Sequence, residues 1–164
     1  GGGERTRLHT KARQGATPLK MLLREISTTD QSRTTILIRL VVGAVFLSEG
    51  IQKFLFEELR GSGRFEKIGL PSPELLGPFV GGTEIICGIL ILLGLYTRLA
   101  VIPIIIIMLV AFFTTKSQLL AEKGFWEMLH GSRTDWSMLL CGIFLLVKGS
   151  GGLSVDHSRM RTRF

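Results

Sequence analysis

Residues 77–98 constrain this chain more than any other stretch. They form an almost unbroken apolar run that carries a single carboxylate, Glu84, about a third of the way in. A run of roughly 20 apolar residues is what a hydrocarbon core of about 30 Å requires. An ionisable group inside such a run costs about 2.5–3.5 kcal/mol on insertion scales. A partner for Glu84 must therefore come from elsewhere in the fold.

Hydrophobic residues make up 46% of the 164 positions, and they are gathered rather than dispersed. A soluble chain spreads such residues as stripes at helical or strand spacing. Here three blocks and a weaker fourth are apolar all round, the pattern of helices surrounded by lipid or deeply buried. Four blocks leave too little polar chain to cover them in water. The expectation is an all-α integral membrane four-helix bundle, with spans over residues 34–56, 76–96, 99–115 and 136–147. Residues 57–76 and 116–135 read as polar loops. Residues 1–33 form a basic N-terminal segment, 34–156 the membrane domain and 157–164 a basic tail. Residues 19–26 fit a short amphipathic helix on the membrane surface, and Asp30 or Ser32 a cap for the first span. Pro103 falls in the first turn of the third span, where it does least harm. That span holds no charge and should contact lipid most. The fourth is short for a crossing and relies on tilt and snorkelling ends.

The net charge of +7 sits at the two ends. Seven Lys/Arg precede the first span and Arg159, Arg161 and Arg163 close the chain. Basic tails adjoining spans point to anionic lipid or to topology rather than to nucleic acid. With four spans, one side collects twelve Lys/Arg and the other six. The excess of positive charge places both termini in the cytoplasm. The first 33 residues lack the apolar core of a secretory signal peptide. Cys87 and Cys141 lie in two different spans and form no CxxC; small packing residues is the simpler reading, and a disulfide needs their Cβ atoms within about 4.5 Å. Three scattered His, at 9, 130 and 157, carry no metal or haem spacing, so no metal site is expected. No Gly-rich nucleotide fingerprint is present either.

Glu49, Gln52, Lys53 and Glu84 fall at matching depth on two antiparallel spans. Intramembrane charges turn inward and pair with one another. These four are the candidate ligand or proton site, with His130 and Asp135 approaching from the same side. Glu49 and Lys53 also have the favourable i,i+4 order on one helix. Two readings stand. The cluster relays protons or takes the head of a quinone or another lipid-like ligand, or it is a polar lock that specifies helix register.

The ordered motifs Arg39-Leu-Val-Val-Gly43, Glu49-Gly50-Ile-Gln-Lys53, Gly69-Leu-Pro71, Glu84 and Gly94-Leu-Tyr-Thr-Arg98 resemble the DoxX family of small four-helix membrane proteins. The ending from Gly149 to Asp156 resembles that family's closing Gly-x-Gly-x-x-Ser-x-Asp element. The resemblance covers about residues 36–156. It implies a bundle in a bacterial-type cytoplasmic (inner) membrane and an association with redox systems, some relatives being quinone-linked subunits. The family's polar positions carry over to Arg39, Lys53, Glu84, Arg98 and Asp156. Glu49 stands where relatives often have His, and Asp135 where they often have Glu. No cofactor-binding motif comes with the resemblance. The expected role is a non-catalytic accessory subunit docking on a larger redox-associated membrane complex. A quinone-interacting subunit is the alternative and a proton-coupled carrier a more remote one, since four short spans without an inverted repeat give little room for alternating access.

Overall fold

The computed structural model describes residues 32–161. The N-terminal helix expected over 19–26 and the Asp30 cap lie outside the described residues. Within them the chain is helical throughout, with no strand. In order, the elements are α1 (Thr35–Leu55), α2 (Glu57–Arg60), α3 (Ser62–Lys67), α4 (Pro73–Leu93), α5 (Thr97–Ala111), a π-helical turn (Phe112–Lys116), α6 (Ser117–Lys123), α7 (Phe125–Gly131), α8 (Arg133–Lys148) and α9 (Val155–Arg161).

Three helices are long and apolar enough to cross a membrane: Thr35–Leu55, Pro73–Leu93 and the continuous Thr97–Lys123. The third is the least buried, with 17% of its apolar window inside the protein against 33% for each of the others. That fits its expected contact with lipid. α8 is longer than its apolar core of 136–147, because Arg133, Thr134 and Asp135 form its first turn and Lys148 its last residue. It ends at Gly149, whose φ of 80° is the left-handed conformation that favours glycine.

The expected loops are mostly helical. Residues 57–67 form α2 and α3, separated at Gly61, and residues 116–135 continue α5 into a π-turn, α6, α7 and the start of α8. Glycine and proline there mark breaks between short helices rather than unstructured chain. The second span starts at Pro73 instead of 76, with Pro73 in the first turn, where a missing N–H is tolerated. Pro78 consequently lies inside α4 and Pro103 inside α5. Pro103 is not in a first turn, because α5 begins at Thr97 and absorbs the Thr97–Arg98 link. The cap of α1 is Thr34, without a side-chain hydrogen bond to its own helix, while Ser32 Oγ lies 2.8 Å from Thr34 Oγ1. α9 extends helix into the expected C-terminal tail.

α1 packs on α4, α4 on α5, and α5 on α8, which returns to α1. Neighbours are antiparallel, as their end contacts show: Arg39 near the start of α1 meets Ile91 near the end of α4, and Arg98 at the start of α5 meets Val147 at the end of α8. Val42, Phe46, Cys87, Ile91, Ala100, Val101, Ile104, Met138 and Leu145 form the buried core.

The α1–α4 packing is the most extensive among the described residues, and its cause lies in the sequence. Gly43 and Gly50 are seven residues apart on α1, as are Gly81 and Gly88 on α4. A Cβ at Gly50 would lie 2.7 Å from Gly81 O, and one at Gly88 would lie 2.8 Å from Leu47 N. Where lipid tails are as apolar as the helices, close backbone approach of this kind drives association. Gly50→Val should therefore lower stability by about 3 kcal/mol, the upper range of overpacking costs, since the clash is with backbone. Gly82→Ala, where a Cβ meets nothing within 4 Å, should be neutral or slightly stabilising. Thermal unfolding of both variants in detergent micelles checks the contrast; equal losses would remove the close-approach argument.

Candidate functional site

The close crossing places the charged groups of α1 and α4. Lys53 sits level with Gly81, because a Cβ at Gly81 would be 3.3 Å from Lys53 Cβ. Glu84 is three residues further along α4, about 4.5 Å deeper at 1.5 Å per residue. Helical side chains lean toward the N-terminus of their own helix. From near the end of α1, Lys53 thus leans inward, opposite to the outward snorkelling usual for lysine at a span's end. Its Nζ reaches Glu84 Oε2 at 2.6 Å, and the two side chains are 11% and 4% exposed. Glu84 has found its partner.

Glu49 and Gln52 are not part of this contact. Glu49 turns to Arg60 of α2 at 3.7 Å, with both side chains more than 40% exposed, an arrangement that contributes little to stability. Gln52 donates to Ser48 Oγ at 2.8 Å on its own helix. The i,i+4 spacing of Glu49 and Lys53 is overridden because Glu84 offers Lys53 a buried, better desolvated acceptor.

Asp135 and His130 are also engaged elsewhere. Lys116, the last residue of the π-turn, lies 2.8 Å from Asp135 Oδ2 and donates to Gly131 O at 2.7 Å. His130 is exposed and faces Arg133, with Nδ1 and Nη1 3.2 Å apart. These contacts tie α7 and the start of α8 to the end of α5. Phe112 and Trp136 stack edge-on beside them, with ring centroids 5.0 Å apart. Trp126 is 77% exposed, consistent with the interfacial place expected of it. Cys87 and Cys141 are free thiols.

A second cluster closes the opposite end of the helices. Arg39 is 3% exposed and spends its guanidinium on four backbone carbonyls. Nε donates to Ile91 O at 2.9 Å, Nη2 to Leu92 O at 2.8 Å, and Nη1 to Ser150 O at 2.8 Å and Leu153 O at 2.6 Å. The first two acceptors are among the last carbonyls of α4, where a cation is favoured; Ile91 O also accepts from the Gly94 N–H at 3.1 Å. The other two belong to the loop before α9.

Asp156 completes the knot from the other side. Its Oδ1 accepts from Tyr96 N at 3.1 Å, and its own N–H donates to Gly94 O at 3.1 Å. The carboxylate thus caps the N-terminus of α5 from a distant part of the chain; α5 has no side-chain cap of its own. Burial pushes the Asp156 carboxyl above the usual carboxylate range, while the backbone donors at Tyr96 and Thr97, the Ser150 hydroxyl and the Arg159 charge work against that shift. Ser154 supports the loop by donating to Gly151 O at 2.7 Å and accepting from His157 N at 3.1 Å. Gly94, at φ 67°, closes α4, and a Cβ there would lie 2.7 Å from Arg39 Cζ. Arg98 donates to Val147 O at 2.8 Å and ties α8 to this end.

The polar residues therefore resolve into one buried ion pair between spans, one clasp at the end that holds the C-terminal element, and exposed pairs at the other end. Among the described residues no group of His, Cys, Asp and Glu has the arrangement to hold a metal ion. The role of Ser150 and Ser154 was not singled out from the sequence; their only signal is their place inside the Gly149–Asp156 element.

Comparison with known proteins agrees with this architecture. The DoxX family model matches residues 34–117, from the cap of α1 through the π-turn. The chain is 50% identical to "Uncharacterized membrane protein Rv3486" of Mycobacterium tuberculosis, over 76% of this chain and 80% of that protein. It is 28% identical to "Putative oxidoreductase CatD" of Bacillus subtilis, over 74% of this chain and 84% of that protein. No solved structure matches it. With more than half its length matched by one family model and a half-identical relative covering most of the chain, the chain belongs to the DoxX family.

Proposed function

We propose that the chain is a non-catalytic accessory subunit that docks on a larger redox-associated membrane complex in a bacterial-type cytoplasmic membrane. One observation carries this reading: the buried charges within the spans are committed to internal contacts. Lys53 holds Glu84, and Arg39 holds four carbonyls. What the helices turn outward is apolar, including Leu75, Phe79 and Ile86 of α4 and Ile106 and Phe113 beyond it. Such a body suits packing against lipid and neighbouring helices. The redox association rests on the name of the Bacillus subtilis relative and on the family.

In this reading α8 is a fourth span. Its 16 residues cover about 24 Å, and Lys148 and Arg133 at its ends can snorkel across the remainder. The excess of twelve Lys/Arg over six then puts both termini in the cytoplasm, with the Arg39–Asp156 clasp on that side. Native mass spectrometry after mild solubilisation of membranes tests the docking role. Co-release with a cofactor-bearing partner, lost in harsher detergent, is expected; a lone monomer insensitive to detergent would count against it.

A quinone-interacting redox subunit is a second reading, favoured by a carboxylate and an ammonium held 2.6 Å apart inside the spans. Binding of ubiquinone or menaquinone to the purified chain that falls on Glu84→Gln would move the assignment there. Equal and negligible binding in both proteins would exclude it.

A further inference from the structure

We propose that the cleft between the end of α4 and helix α9 binds the phosphate headgroup of an anionic membrane lipid. The cleft has two walls of different chemistry. Leu93, Leu153 and Val155 form the apolar one, while Ser154, His157 and Arg159 belong to the polar one. Leu93 is 51% exposed and Leu153 49%, at the level where the apolar run of α4 stops. That is the depth at which acyl chain gives way to headgroup.

The cationic wall is positioned rather than free. The Arg159 guanidinium lies over the Tyr96 ring, 5.9 Å from its centroid, which holds an exposed side chain at the rim. His157 is half-buried and lines the same cleft. The neighbouring carboxylate, Asp156, is 3% exposed and accepts from Tyr96 N–H, so it offsets the exposed Arg159 charge only in part. A cation beside an apolar wall at interface depth matches an amphiphile better than a free anion. The site stands whether or not the chain docks on a larger complex.

The test uses the purified full chain in detergent and native mass spectrometry. Dioleoylphosphatidylglycerol, dioleoylphosphatidylcholine and glycerol 3-phosphate are added in turn. The expected result is retention of the glycerol lipid well above the choline lipid, with little retention of glycerol 3-phosphate. Arg159→Ala should weaken that retention about fivefold, the effect of one basic residue at an anionic surface. Arg159→Lys should largely preserve it, and Arg163→Ala should leave it unchanged. Equal retention of the two lipids would overturn the proposal. So would equal losses in Arg159→Ala and Arg163→Ala, which would mean diffuse tail charge. Glycerol 3-phosphate held as firmly as the lipid would overturn the lipid source in favour of a soluble phosphate.

Discussion

Lys53→Met should lower the stability of the folded chain by about 3–5 kcal/mol, the range observed when one member of a buried ion pair is removed. The loss is large because of what remains. Glu84, 4% exposed in its side chain, would be left as an unpaired carboxylate between two helices whose backbones approach too closely to admit a compensating group. Glu84→Gln should cost somewhat less, because the flexible lysine stem can swing outward to the interface. The double variant Lys53→Met/Glu84→Gln should recover much of the loss, since an uncharged pair has no desolvation penalty to offset. Equilibrium unfolding in mixed micelles of the two singles and the double forms a cycle that isolates the pair. Strictly additive losses would mean that the 2.6 Å contact is not what stabilises the crossing.

Arg39→Leu should be comparably damaging, by about 4 kcal/mol. A hydrogen bond from a charged donor contributes about 1.5–3 kcal/mol, and contributions within one network are not additive. Four carbonyls lose the guanidinium at once, two at the end of α4 and two in the loop before α9, and of these Ile91 O keeps the Gly94 N–H as a donor. Arg39→Lys should recover only part of this, because a compact ammonium cannot serve acceptors arranged around a planar fork. The loss should also be localised. Amide hydrogen exchange in residues 149–158 should accelerate before exchange in the middle of α1 or α4. Uniform acceleration along the chain would mean that Arg39 stabilises the helices directly and does not act as a clasp.

Much of the helical plan was readable because composition over 20 residues is a local property. The apolar blocks of α1, α4 and α5 appear as membrane spans without any knowledge of contacts. Their ends were less legible. Gly61, Gly63, Pro71 and Pro73 read as a loop, yet α2 forms just before Gly61 and α3 runs through Gly63, because short runs such as Glu57–Arg60 and Ser62–Lys67 need only one or two turns. The continuous helix Thr97–Lys123 runs further than the expected span of 99–115 for a related reason. Its polar extension through Lys116 to Lys123 lacks apolar character but keeps helical backbone, with Thr114 and Ser117 bonding back to Val110 and Phe113 carbonyls.

The candidate cluster divides along the same line. Depth alone put Glu49, Gln52, Lys53 and Glu84 together, and depth follows from counting residues. Azimuth does not, and it sends Glu49 toward Arg60 while Lys53 leans in to Glu84. The glycines seven apart on both helices held the missing information, because they define which faces meet.

The sequence by itself determined that the chain is helical, membrane-embedded and of the DoxX type, and that Glu84 needs a partner inside the spans. The helical, membrane-embedded character and the need of Glu84 follow from solvation costs that each segment carries wherever it lies; the family follows from the ordered motifs between Arg39 and Asp156. Only the tertiary structure decided that Lys53 is that partner and that Arg39 and Asp156 close the far end. Arg39 is held by the carbonyls of Ile91, Leu92, Ser150 and Leu153, and Asp156 by the N–H of Tyr96. Every residue has a backbone carbonyl, so no side-chain pattern marks these four as acceptors; the packing that brings them to one point does.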